Sequence, residues 1–156
     1  MHKTAVISPC GRYRYQLGRH WEIGATALWI MLNPSTADAT VDDNTIKRCI
    51  AFSQREGFGS LLVGNIYAFC STDPRALSKL DAIDAFGPDN DLHLRQMALR
   101  ASRVICAWGS HAAPEWLCLQ ALPRTPGGMW CLGKTKSGSP KHPLYLPANT
   151  PLEPFP

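Results

Sequence analysis

The sequence predicts an α/β domain: a three-layer sandwich with a central, mostly parallel four-stranded sheet, preceded by an N-terminal β-hairpin. Three observations carry that expectation. The 156 residues, 45% apolar and 18% charged, suffice for one domain with a full core and do not suit a disordered chain. Four short runs are continuously apolar, as strands buried on both faces are. Between them lie stretches with helical spacing, and strands alternating with helices form βαβ units whose right-handed crossovers place helices on both faces.

The elements follow in order along a single domain over 1–156. Residues 1–24 form a β extension, in which Arg12-Tyr13-Arg14-Tyr15-Gln16-Leu17 alternates polar with apolar like a half-exposed strand. Ala25–Leu32 is the first buried strand and stops at Asn33-Pro34. A polar loop then leads to a helix from about Asn44 to Glu56, capped by Asp43 and stopped by Gly57. Ser60–Phe69 is the second strand, and a helix covers roughly Asp89 to Ser102. Arg103–Trp108 is the third strand, and Pro114 opens a helix running to Leu122. Gly128–Leu132 is the fourth strand. The Pro-rich tail, 147–156, is expected to lie extended on the surface.

Composition removes several function classes. No stretch approaches ~20 apolar residues, so no membrane partner is expected, and the N-terminal apolar run is too short for a secretory signal. A cytoplasmic monomer is the expectation. None of the six cysteines forms Cys-x-x-Cys, so neither a metal nor another cofactor is expected, and reduced cysteines suit core packing. A net charge of +4 permits an anionic partner without requiring one. Gly128–Thr135 matches the Walker A pattern in letters only: its middle is strand-like, and Lys136-Ser137-Gly138-Ser139-Pro140 cannot start the helix that phosphate binding needs.

In open α/β sheets the ligand site lies beyond the carboxyl ends of the strands. That rule selects Asn33-Pro34-Ser35, Asn65-Ile66-Tyr67, Gly109-Ser110 and the loop from Gly133 to Leu146. Asn33-Pro34, Leu62-Val63-Gly64-Asn65, Trp108-Gly109-Ser110 and His142-Pro143 with Leu146, in this order over roughly residues 25–147, resemble the motifs of the uracil-DNA glycosylase superfamily. Leu32-Asn33-Pro34-Ser35-Thr36-Ala37-Asp38 also resembles the signature of a small bacterial family without an assigned function.

The resemblance implies a glycosylase-like fold and hydrolysis of the N-glycosidic bond of a damaged or modified base in DNA, single- or double-stranded. It implies that His142 faces the departing base, that Asn65 reads the base edge and that Asn33 holds a water. Pro34, Ser35, Gly109 and Ser110 would then line the base site, with Tyr67 or Phe69 stacking on the base. Pro143 would contact the nucleic acid and Leu146 would enter the duplex as the wedge, while Lys134, Lys136, Lys141 and Arg75 contact phosphates. Asn33 stands where the uracil-specific enzymes carry Asp, and Ser35 where they carry an aromatic. A general base is therefore expected from Asp38, Asp42 or Asp43, and the base from outside the uracil class. The same residues also suit a hydrolase or binder of free nucleosides and nucleotides, or a non-catalytic nucleic-acid-binding module. Each has a plainer reading too: Asn33 as a turn former, Asn65 in an internal hydrogen bond, the aromatics as core.

Overall fold

The computed structural model describes residues 1–110, 119 and 121–155. Its strands are β1 (His2–Ile7), β2 (Arg14–His20), β3 (Thr26–Met31), β4 (Ser60–Asn65), β5 (Arg103–Cys106), β6 (Met129–Cys131) and β7 (Glu153–Pro154). The helices are α1 (Asn44–Arg55), α2 (Ala82–Phe86) and α3 (Asn90–Arg100), with a 3-10 turn at Pro74–Lys79. The helix expected from Pro114 falls mostly outside the described residues.

One seven-stranded sheet runs in the order β1-β2-β4-β3-β5-β6-β7. β4, β3, β5 and β6 pair in parallel, whereas β1–β2, β2–β4 and β6–β7 pair antiparallel. This corrects the expected fold. The sheet is mixed and seven-stranded, not a four-stranded, mostly parallel sheet with a hairpin beside it. Two physical reasons account for the difference. Leu17, Gly18, Arg19 and His20 pair with Val63, Leu62, Leu61 and Ser60, so the hairpin continues the sheet. The tail also does not simply cover the surface: Glu153 and Pro154 pair with β6, and Phe155 is buried edge-on against Trp108 at 5.5 Å.

β3 explains how the core is divided. Its side chains alternate between faces, as any strand's do. Leu28 and Ile30 join Leu94, Met97 and Ala98 of α3 on one side. Ala27, Trp29 and Met31 join Ile46, Cys49, Ile50 and Phe52 of α1 on the other. Both faces are apolar and both are covered, which is why the run reads as continuously hydrophobic. The one polar atom of Trp29, Nε1–H, donates to Ser53 at 2.9 Å, so its burial leaves no donor unpaired. Asp43 caps α1, accepting from the Ile46 N–H at 2.9 Å.

β2 departs from the half-exposed strand that its alternation suggests. Tyr13, Arg14, Tyr15, Leu17 and Arg19 are all buried. Among the described residues, no helix is long and apolar enough to cross a membrane.

Candidate functional site

A cavity of about 620 Å³ opens where β3, β4 and β5 end. That volume lies within the ~300–1,000 Å³ of small-molecule sites. Its wall takes Met31, Leu32 and Asn33 from the end of β3, Asn65 from β4, and Trp108, Gly109 and Ser110 from the turn after β5. The start of α1 adds Asp43 and Thr45, and the loop after β6 adds Lys141, His142, Tyr145 and Leu146. Because β2 runs against β4, its first residue, Arg14, arrives at this same end of the sheet.

Asn65 is the most informative member. It closes β4 in register with Met31 and is 1% exposed, yet neither Nδ2 nor Oδ1 has a hydrogen-bond partner among the described residues. Buried amides are almost always paired, and an unpaired one costs about 1–3 kcal/mol. The backbone under it is fixed: Asn90 Nδ2 donates to the carbonyls of Asn65 at 2.9 Å and Ile66 at 3.1 Å. The side chain is thus held in place with a donor and an acceptor both unused.

His142 is placed by a small framework of main-chain bonds. Lys141 N–H donates to the Gly133 carbonyl, and Lys134 bridges to Pro140. Gly109 N–H donates to the Pro140 carbonyl at 2.9 Å. That contact needs the turn after Trp108, where Gly109 adopts φ +73°, a region open to glycine. The Leu144 N–H donates to His142 Nδ1 at 3.2 Å. An accepting Nδ1 is unprotonated, so the neutral ring carries its proton on Nε2. Burial holds the imidazole below its usual pKa, and the Asp43 carboxylate only partly opposes this.

Two further polar groups have capacity left. Asn33 Nδ2 is spent on the carbonyls of Ser71 at 2.8 Å and Pro34 at 3.2 Å, so only its Oδ1 remains. Asp43 gives one oxygen to the cap of α1, and the other takes no hydrogen bond among the described residues.

The structure brings Asn33, Ser35, Asn65, Gly109, Ser110, Lys141, His142 and Leu146 to this one cavity. Other expected site residues lie elsewhere. Asp38 accepts from the Thr40 and Val41 N–H groups in its own turn, which lowers its pKa. Asp42 bridges Lys3 and Arg19 at 2.7 Å each; burial pushes its carboxyl up, but these two cations outweigh it. Both carboxylates are therefore structural, and Asp43 is the one that reaches the cavity. Tyr67 stacks on Phe86 at 5.2 Å, and Phe69 meets Tyr13 edge-on at 6.1 Å. These contacts spend the two rings on packing.

Pro34 is buried, its carbonyl accepting from the Ser71 N–H, and Pro143 is buried under Arg48. Leu146 packs on the core, and its carbonyl accepts from Arg48, so it does not stand out as a wedge. Lys134 lies 3.9 Å from Glu153, Lys136 is exposed away from the cavity wall, and Arg75 pairs with Asp73. Sequence reasoning missed Arg14 and Tyr145. Tyr145 is 90% exposed at the mouth, a large aromatic left in water, and its place directly before Leu146 was the signal that could have found it.

The chain belongs to a family described as protein of unknown function (DUF1643), whose model matches residues 14–144. No curated protein matches it, and neither does any solved structure. The expected membership of the uracil-DNA glycosylase superfamily is thereby corrected, since no model of that superfamily matches. The pieces behind the resemblance are two to four residues long. Asn-Pro and Gly-Ser are turn formers wherever a parallel strand ends, so their order along the chain does not identify a lineage.

Proposed function

We propose that this cavity binds a nucleobase with its sugar and that the protein hydrolyses the N-glycosidic bond joining them. The single observation behind this reading is Asn65, whose unused donor and acceptor are the complement of a base edge. Hydrolysis leaves negative charge on the departing base and positive charge on the sugar. A neutral His142 donating from Nε2 stabilises the first, and the free oxygen of Asp43 stabilises the second or takes a proton from the attacking water. Asn33 Oδ1 orients that water.

A free nucleoside or nucleotide fits this reading better than a base in a DNA strand. Lys134, Pro143 and Leu146, which gripping a strand would need, are engaged within the protein. A damaged or modified base in DNA is the second reading, favoured by Tyr145, an exposed ring at the mouth suited to stacking on a neighbouring base.

The test is a panel of nucleosides, nucleotides and oligonucleotides with unmodified and modified bases, with free base measured by chromatography. Release from the small substrates, reduced ~100- to 10,000-fold in His142→Ala, is expected. Asn65→Ala should lose binding. Release only from oligonucleotides would transfer the reading to DNA. No release from any of them, with the protein folded, would rule out hydrolysis and leave a binding module.

A further inference from the structure

We infer that the ligand is anionic: a nucleoside monophosphate whose phosphate rests on Arg14. The inference depends on the nucleobase reading for the rest of the ligand, and on Arg14 for the phosphate. Arg14 is 4% exposed and forms part of the cavity wall. Its Nη1 donates to the Ala37 carbonyl at 2.8 Å, while its buried Nε has no partner. No carboxylate pairs with it among the described residues. Asp43, in the same wall, is spent in part on capping α1; its charge acts on the guanidinium from a distance but forms no ion pair with it.

A guanidinium always carries its charge, and a buried charge is normally matched by a counter-charge. Here Arg14 and Asn65 line the same cavity, each with hydrogen-bonding capacity that the described residues leave unfilled. The first turn of α1 adds to the positive field there, with Thr45 and Ile46 in the wall. The planar fork of an arginine suits the paired oxygens of a phosphate. A nucleobase ligand brings such an anion only as its own phosphate. A monoester is favoured over the diester of a strand, because a chain end can stop at a buried group whereas a strand must leave again on the far side.

Calorimetric titration of the wild-type protein with a nucleoside, its 5′- and 3′-monophosphates and a dinucleotide tests this without any substitution. One monophosphate should bind ~10- to 100-fold tighter than the nucleoside, the range expected for hydrogen bonds to a charged group. The dinucleotide should gain nothing over the nucleoside. In Arg14→Gln, checked for folding by its thermal midpoint, the ratio of monophosphate to nucleoside affinity should fall to about one. Inorganic phosphate alone should raise the thermal midpoint of the wild type and not that of Arg14→Gln.

Equal affinity for nucleoside and monophosphate, or a preference that survives Arg14→Gln, would overturn the phosphate seat, as would a dinucleotide that binds as tightly as the monophosphate. Failure of every nucleoside and nucleotide to bind, with phosphate still stabilising the protein through Arg14, would sink the nucleobase reading and with it the monophosphate.

Discussion

Arg14 and Arg19 stand on the same strand, both almost out of contact with water, in opposite surroundings. Arg19 donates from Nε to Asp42 at 2.7 Å, and its two terminal nitrogens reach the carbonyls of Thr4, Gly18, Asp38 and Val41. Arg14 has one carbonyl, Ala37, and no carboxylate among the described residues. Burial therefore does not separate a structural cation from a ligand-binding one; the number of filled hydrogen-bond positions does. The same contrast appears between two buried asparagines. Asn90 ties two backbone carbonyls together with its amide nitrogen, while Asn65 uses neither side-chain atom.

Substitution should separate these pairs. Arg19→Met should cost about 3–5 kcal/mol in urea unfolding, since it leaves Asp42 with Lys3 alone and takes a donor from four carbonyls. Arg14→Met should stay within about 1 kcal/mol of the wild type, because it removes a charge that the fold leaves unpaired. Comparable losses in the two would mean that Arg14 holds the fold together and would erase the contrast.

A smaller gap is expected between Asn90→Ala, at about 2 kcal/mol of lost stability, and Asn65→Ala, at no more than about 1 kcal/mol in either direction. Asn65→Ala should instead abolish ligand binding. A large stability loss there would show that the amide has a partner in the folded protein.

The smallest effect is in the pH dependence. The folded protein holds His142 below the ordinary histidine value of ~6.5, so below that pH the unfolded chain binds more protons. The contribution of His142 to stability is therefore complete above ~6.5 and declines as the pH falls through that value, until the lower folded pKa is also passed. His142→Ala should flatten this acid-side decline. The acid limb of kcat/KM should lie below pH ~6.5, because the neutral Nε2 donor persists there. An acid limb at or above the ordinary histidine value would place the working proton on another group.

Much of the parallel part of the sheet was legible in the sequence, because strands covered on both faces need apolar runs, and Ala27–Met31 and Leu61–Val63 supply them. β2 was not. Alternation in Arg12–Leu17 reveals two faces but not that the polar one is covered, since that cover comes from the loop at Ala37–Asp42 and from neighbours distant in sequence. Asn65 was readable as unusual for a simple reason: an amide inside an apolar strand needs an explanation whatever surrounds it. Asp43 was readable as the cap of α1, but Asp38 and Asp42 looked alike along the chain, and only the turn and the ion pairs sort them. The short β7 was unreadable, because two residues at a sheet edge leave no periodicity.

The reversed direction of β2 has a consequence for trimming the molecule. A protein started at Gly24 would retain the four co-directional strands and both asparagines, and could pass for an intact minimal version. It would lack the guanidinium that the backward-running strand delivers. It would also lose the buried Leu17 and the Arg19–Asp42 pair and bare the edge of β4, so the same hairpin that brings Arg14 to the cavity is part of the fold, and Arg14→Gln, not truncation, isolates the phosphate seat.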